Sequence, residues 1–239
     1  MRVIGIDPAP KKAATLYDRD SGWTTVAATE LPATINKWSD GESTLVCWDA
    51  PLSIGGNGEG CYYERPIESF FRNHREFTTP DGISVRPFAG CPHWAITHAT
   101  LGLPVTGNHS VGKNSLPLAY IASGTITDAN GHFVTEVHPA VALWLWCRND
   151  LPSGPWTYKK LKRNRGILWA TFSKIMADHL PKSPPKNDDE IDAFVAYLLG
   201  ELWIQGTDVT LLGDEQLGSF LVPRSDKLVQ AFSEFTKSK

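Results

Sequence analysis

Residues 2–7, RVIGID, open the chain with an apolar run that ends in an aspartate. An apolar run with almost no break is typical of a strand that is buried on both faces of a sheet. Strand-like stretches follow at 13–18 and 23–31, a helical pattern at 33–40, and another strand-like stretch at 43–51. Three strands, a helix and a fourth strand predict an α/β domain with a mixed sheet.

The rest of the chain predicts an insertion followed by the second half of the same domain. From 53 to 128 the pattern loosens into a Gly-rich loop, a helical stretch at 62–76 and sequence rich in Pro, Gly, His and Thr. We interpret 53–128 as an insertion or lid, since it lacks a long periodic segment for a core of its own. A fifth strand at 132–138 and three helical patterns follow, at 139–146, 158–180 and 188–204. A single domain over 1–239 is therefore expected.

Composition and charge exclude several classes of protein. The chain has 239 residues, 23 basic and 26 acidic side chains and a formal net charge of −3, so bulk charge does not attract it to nucleic acid. The sequence has no apolar run near the roughly 20 residues of a membrane helix and no signal-peptide pattern, which predicts a cytoplasmic protein. Its four cysteines form no CxxC pair and are expected to be reduced thiols.

Acidic residues stand where a catalytic site of an α/β fold is expected. Asp7 and Asp49 end the first and fourth strands, Glu136 lies in the fifth, and Asp189 and Asp192 share one side of the last helix. Ligands of open α/β sheets bind beyond the carboxyl ends of the strands. Converging carboxylates repel one another unless cations neutralise them, and hard oxygen ligands favour Mg²⁺ or Mn²⁺. All five are therefore catalytic candidates, and Asp7, Asp49, Glu136 and Asp192 are candidate metal ligands.

Each of these acids also has an ordinary structural interpretation. Asp7 and Asp49 precede turns, which aspartate favours for its own hydrogen bonding. Asp189 lies in the first turn of a helix, where the helix dipole favours a negative charge without any function. The joint placement at two strand ends and one helix is what favours a shared site.

Seven side chains are candidates for binding the substrate or carrying a proton, namely Lys11, Lys12, Arg65, Arg72, Lys159, Lys160 and His138. Lys159 and Lys160 belong to a basic segment, WTYKKLKRNR, which contains no acid and could neutralise backbone phosphates. Arg65 and Arg72 could clamp a phosphate or carboxylate, or could instead pair with nearby glutamates. His138 could carry a proton near neutral pH, or serve as a structural hydrogen-bonding group.

Six short motifs occur along the first 200 residues, in the order GIDPAP, VCWDAPL, RPIESFFR, TEVHPAVALW, YKKLKRNRG and DDEIDAFVAYLL. Together they resemble the motifs of the family catalogued as domain of unknown function 429, predicted nucleases with a ribonuclease-H-like fold. The resemblance implies a ribonuclease-H-like mixed sheet with flanking helices and an acidic metal site at Asp7, Asp49, Glu136 and Asp192. The spacing of Asp189, Asp192 and Ala193 also looks like the final motif of RuvC-type junction resolvases. Residues 73–115 match nothing in that pattern.

Three functions remain as hypotheses at this point. The first is a two-metal nuclease, using Mg²⁺ or Mn²⁺ and a water nucleophile on DNA or RNA. The second is a nucleic-acid-binding or regulatory module that keeps the fold without turnover. The third is an ATP phosphotransferase of the actin-like and sugar-kinase branch, which we discount because the turns after Asp7 and Asp49 lack the required glycines.

Overall fold

A computed structural model describes residues 1–9, 12–52, 64–85, 100–101, 126–127, 132–214 and 218–238. Lys11 and most of the predicted insertion at 53–128 lie outside the described residues. Within the described part of the chain, no helix is long and apolar enough to cross a membrane.

The main sheet has six strands in the order β3-β2-β1-β4-β6-β5. They are β1 (Arg2–Asp7), β2 (Ala14–Asp18), β3 (Gly22–Val26), β4 (Thr44–Trp48), β5 (Ile126–Thr127) and β6 (Phe133–Glu136). β1, β4 and β6 run parallel, whereas the β1–β2, β2–β3 and β5–β6 pairs are antiparallel. The α/β class and the mixed sheet are therefore confirmed.

The observed strands differ from the sequence prediction in three places. The predicted strand at 23–31 ends at Val26, because residues 28–30 form a short 3-10 helix. A separate hairpin near the C-terminus is formed by β7 (Val209–Asp214) and β8 (Gly218–Pro223). The TLL stretch at 210–212 is strand-like in sequence and lies in β7, whereas β8 was not predicted. The short β5 was also missed, because it lies within the region interpreted as an insertion.

The helices in the described part of the chain are α1 (Leu31–Ser39), α2 (Pro66–Asn73), α3 (Pro139–Cys147), α4 (Lys162–Ile175), α5 (Asp188–Ile204) and α6 (Asp226–Lys237). The last predicted helix, 188–204, is confirmed at both ends, and Asn187 caps it by accepting a 2.8 Å hydrogen bond from the Glu190 N–H. α4 is shorter than predicted, because residues 158–161 precede it as a turn and Leu161 is extended.

The core lies on both faces of the sheet, and α5 packs closely on one of them. Gly5 of β1 makes this approach possible, because a Cβ at that position would lie 2.1 Å from the Ala193 carbonyl oxygen. Gly200 similarly abuts the Cys47 side chain of β4. The opposite face packs against α1 through a second apolar cluster that includes Ile4, Ile6 and Ile35. As a result, the first turns of α5 lie beside the carboxyl end of β1.

Candidate active site

Three aspartates from three elements meet at the carboxyl edge of the sheet. Asp7 ends β1, and Asp49 follows β4 directly, with its backbone N–H donating to the Ile6 carbonyl oxygen over 3.0 Å. Since β1 and β4 are parallel neighbours, their carboxyl ends lie side by side. Asp192, in the second turn of α5, is 1% exposed. We call Asp7, Asp49 and Asp192 the aspartate cluster.

The ionisation of the aspartate cluster shows that its members interact. Burial raises the pKa of Asp7 from 3.8 to about 7, and the charge of Asp192 adds to that effect. Burial also raises the pKa of Asp49 well above its ordinary value, with Asp192 and Asp7 contributing in the same direction. The pKa of Asp192 is raised as well, again chiefly by burial. The cluster therefore resists holding three negative charges without additional cations.

One such cation is supplied by the chain itself. The Lys159 Nζ lies 2.6 Å from Asp192 Oδ2, although the lysine side chain as a whole remains 44% exposed. Its charge lowers the pKa of all three aspartates, which places the ammonium within electrostatic reach of the whole cluster. Burial alone would lower the pKa of Lys159, but Asp192 and the other acids raise it well above its ordinary value. The sequence had suggested only a phosphate-binding role for this lysine.

Tyr158 is a site residue that the sequence analysis did not identify. Its hydroxyl donates a 2.6 Å hydrogen bond to Asp192 Oδ1, and its ring is fully buried. Asp192 therefore has one oxygen bound to Tyr158 and the other to Lys159. The only signal in the sequence was the position of Tyr158 next to Lys159, in a segment predicted to be helical.

Glu136 lies at the same edge but differs from the aspartate cluster, because an arginine binds both of its oxygens. Arg65 Nη1 donates to Glu136 Oε2 over 2.9 Å, and Arg65 Nη2 donates to Oε1 over 2.6 Å. The Leu52 backbone N–H also donates to Oε2, over 2.8 Å. Through this bond Glu136 holds the turn that follows Asp49, which is a positioning role. Both oxygens of Glu136 are thus bound by protein groups, whereas the sequence analysis predicted that Glu136 would bind a metal ion.

Arg65 is likewise not available to a substrate in the way the sequence suggested. Its side chain is 1% exposed, and besides Glu136 it binds Glu68 through an Nε–Oε1 hydrogen bond of 2.8 Å. Burial would lower the pKa of Arg65, but Glu136 and Glu68 raise it well above its ordinary value. Of the two interpretations given in the sequence analysis, pairing with a nearby glutamate is therefore the correct one for Arg65. Arg65 therefore belongs to a buried ion-pair network and does not have the predicted role of a phosphate clamp.

The other predicted substrate-binding residues lie in varied surroundings. Lys12 Nζ lies 2.5 Å from both oxygens of Asp189, so these two residues neutralise each other beside the aspartate cluster. Arg72 forms a 2.7 Å ion pair with Glu64 at the surface, and Lys160 is exposed next to Lys159.

His138 does not have the protonation expected of a proton carrier at neutral pH. Burial, together with the nearby charge of Lys159, lowers the pKa of His138 to about 4. The imidazole is therefore neutral at pH 7. Its Nδ1 atom is buried and makes no hydrogen bond within the described residues.

The donor set of the aspartate cluster suits a hard cation only in part. Across the residues that the structure describes, no group of three or more His, Cys, Asp or Glu side chains is arranged to hold a metal ion. Asp192 is engaged by Tyr158 and Lys159, whereas the carboxylates of Asp7 and Asp49 make no hydrogen bond within the described residues. The carboxylates of Asp7 and Asp49 supply oxygen atoms, the type of ligand that hard cations prefer. No family model, curated protein or solved structure matches this chain.

Proposed function

We propose that the chain is a divalent-metal-dependent nuclease that hydrolyses phosphodiester bonds in DNA or RNA. The observation that carries this proposal is the convergence of Asp7, Asp49 and Asp192 at one edge of the sheet, with each pKa raised by burial and by neighbouring acids. Such an arrangement costs folding stability. Strongly perturbed ionisable groups gathered at one edge are typical of functional sites.

We also propose that the fold is ribonuclease-H-like and that the chain belongs to the family catalogued as domain of unknown function 429. The support for the fold is the order of three antiparallel strands, a helix and a fourth strand that returns parallel to β1. The support for the family is the order of the six motifs. Five of these motifs contribute directly to the carboxyl edge, since they contain Asp7, Asp49, Glu136, Lys159 and Asp192.

The charges favour a site for one divalent ion instead of the two that the sequence had suggested. With all three aspartates ionised, the ammonium of Lys159 would leave two negative charges, which a single Mg²⁺ or Mn²⁺ would neutralise. Asp7 and Asp49 would hold it, because their oxygens are free of hydrogen bonds in the described structure. When bound, such an ion lowers the pKa of a coordinated water and offsets charge that develops on a phosphoryl oxygen.

The chain's own residues would complete the chemistry around that position. Lys159 lowers the pKa of Asp192 and lies where it can also attract a phosphate oxygen. Tyr158 fixes the orientation of Asp192, and Glu136 fixes the turn after Asp49. These contacts hold the reacting groups in place before a substrate arrives.

One observation favours a second candidate, a nucleic-acid-binding module without turnover. The Lys159–Asp192 ion pair partly neutralises the aspartate cluster without any metal ion. The cluster could therefore contribute to the folded structure without taking part in catalysis.

A cleavage assay separates the two candidates. The protein is incubated with single-stranded, duplex and branched DNA and RNA, with Mg²⁺ or Mn²⁺, alongside the Asp7→Asn and Asp192→Asn variants. Asp178→Asn serves as the matched control, because Asp178 is exposed and lies outside the cluster. The nuclease proposal requires cleavage by the wild type and the control that is lost in both cluster variants. Binding without cleavage would support the second candidate.

A further inference from the structure

The basic segment WTYKKLKRNR is anchored to α5 at two points. The Lys159 ammonium lies 2.6 Å from Asp192 of the aspartate cluster. Six residues further along the chain, Arg165 forms an ion pair with Asp188, which precedes Asp192 by about one turn of α5. The residues between these two contacts, 160–163, are therefore held beside the first two turns of α5 and next to the cluster.

Three cations between the two anchors have no ion-pair partner among the described residues. They are Lys160, Lys162 and Arg163, and all three are exposed. The sequence from 151 to 177 contains six basic residues and no acidic one, so the segment itself offers them no counter-charge. A locally positive surface therefore borders the aspartate cluster, although the whole chain has a net charge of −3.

The stability of α4 does not account for these charges. Lys162 and Arg163 lie in the first turn of α4, which contains no acidic residue, and no side chain caps the start of the helix at Leu161. The N-terminus of a helix carries a partial positive charge, so cations in the first turn are unfavourable. Neighbouring cations also repel one another. Cations that oppose both effects, on a segment held beside an acidic site, favour an anionic ligand.

The length of the segment suits successive phosphates of one strand. Three Cα–Cα steps of about 3.8 Å separate Lys159 from Lys162, which is at most about 11 Å of chain. One strand of a nucleic acid duplex advances by about 3.4 Å for each nucleotide, so this length corresponds to about three nucleotides. A strand with one phosphodiester at Asp7 and Asp49 could therefore place its next phosphates beside the exposed cations.

We propose that Lys160, Lys162 and Arg163 bind the phosphates next to the scissile phosphodiester, so that the substrate is a polynucleotide strand and not a small phosphodiester. This inference rests on the proposed function. The sequence analysis gave Lys159 and Lys160 the same role, whereas the structure pairs Lys159 with Asp192 and leaves Lys160 exposed. Lys159 would attract the reacting phosphate, and the three exposed cations would hold the strand on one side of it.

The test measures binding in the absence of cleavage. Fluorescence anisotropy of labelled single-stranded and duplex oligonucleotides is recorded in EDTA, over a series of salt concentrations, for the wild type and the Lys162→Ala/Arg163→Ala variant. The matched control, Lys37→Ala/Arg75→Ala, also removes one exposed lysine and one exposed arginine, but outside the basic segment. If Lys162 and Arg163 each neutralise one phosphate, the slope of log affinity against log salt should become shallower by about 1.4 for a single strand and about 1.8 for a duplex. The control should keep the slope of the wild type.

A competition arm tests the preference for a strand over a small phosphodiester. Unlabelled oligonucleotide and bis(p-nitrophenyl) phosphate are titrated against the labelled oligonucleotide, at matched total phosphate concentration. The proposal expects the oligonucleotide to compete at a phosphate concentration at least about tenfold lower in the wild type, and this advantage to shrink in the Lys162→Ala/Arg163→Ala variant. Equal competition by the two compounds would overturn it.

The outcomes separate this inference from the proposed function. Equal slopes for the Lys162→Ala/Arg163→Ala variant and the control, or no binding by the wild type, would overturn the inference, whatever the cleavage assay gives. A shallower slope confined to that variant supports it even if cleavage is absent.

Discussion

The clearest consequence of the aspartate cluster is that removing one of its charges should stabilise the metal-free protein. In the Asp7→Asn variant an amide of the same shape replaces the carboxyl whose pKa burial and Asp192 raise from 3.8 to about 7. That separation of about three pH units is equivalent to about 4 kcal/mol. Because Asp7 is only half-buried and solvent screens part of its charge, we expect a gain of about 2–4 kcal/mol at pH 8.

The sign of the effect fixes its pH dependence. Below pH 3.8 the carboxyl is protonated in the folded and the unfolded chain, and the substitution should change little. Between pH 3.8 and about 7 the unfolded chain loses its proton while the folded chain keeps it, so the wild type loses stability as the pH rises. Above pH 7 the loss is complete, and the advantage of the variant reaches its full value.

Urea unfolding in EDTA at pH 4, 6 and 8 measures the difference directly. Asp178→Asn is the control, and as an exposed substitution it should change the free energy of unfolding by less than about 0.5 kcal/mol at every pH. If the proposed function is correct, adding Mg²⁺ at pH 8 should stabilise the wild type more than the variant, because the variant lacks the negatively charged carboxylate of Asp7. An Asp7→Asn protein that is no more stable than the wild type at pH 8 would refute the electrostatic reasoning.

Three substitutions test the contacts that position the cluster. Gly5→Ala places a Cβ 2.1 Å from the Ala193 carbonyl oxygen, so thermal unfolding should show a loss of about 1–3 kcal/mol or more, and unchanged stability would contradict this close approach. Arg65→Met leaves buried carboxylates unpaired and should cost about 3–5 kcal/mol in urea unfolding, whereas a change below 1 kcal/mol would contradict the buried network. Tyr158→Phe removes the hydrogen bond to Asp192 and should raise the pKa of that carboxyl further, as followed by NMR titration; an unchanged pKa would exclude the bond.

Much of the fold could be predicted from periodicity and the chemistry of strand ends. The observed positions agree closely with the predicted ones for four elements, β1, β2, β4 and α5. Each of these elements combines a regular apolar pattern with a clear boundary. β5 could not be recognised, since it is two residues long and is defined only by its pairing with β6. A strand of that length carries no periodic signal.

The positions of the site residues were predicted better than their partners. Asp7 and Asp49 follow from their place at strand ends, but the partner of Arg65 does not follow from sequence spacing. Glu68 is three residues away on the same helix, whereas Glu136 comes from a strand 71 residues later and binds the same guanidinium. Sequence spacing therefore predicted the contact of Arg65 with Glu68 but not its contact with Glu136.

Under the proposed function, the contacts of Glu136 and Lys159 favour one bound ion over two. The sequence placed Glu136 among the metal ligands and Lys159 among the phosphate-binding residues. In the structure each of these groups forms an ion pair, Glu136 with Arg65 and Lys159 with Asp192. Lys159 offsets the charge of Asp192, and Arg65 binds both oxygens of Glu136. Among the described residues, only the carboxylates of Asp7 and Asp49 at this edge are left without a hydrogen-bond or ion-pair partner. Those two charges equal the charge of a single divalent ion, and a second ion would have to displace Lys159 from a 2.6 Å contact with a buried carboxylate.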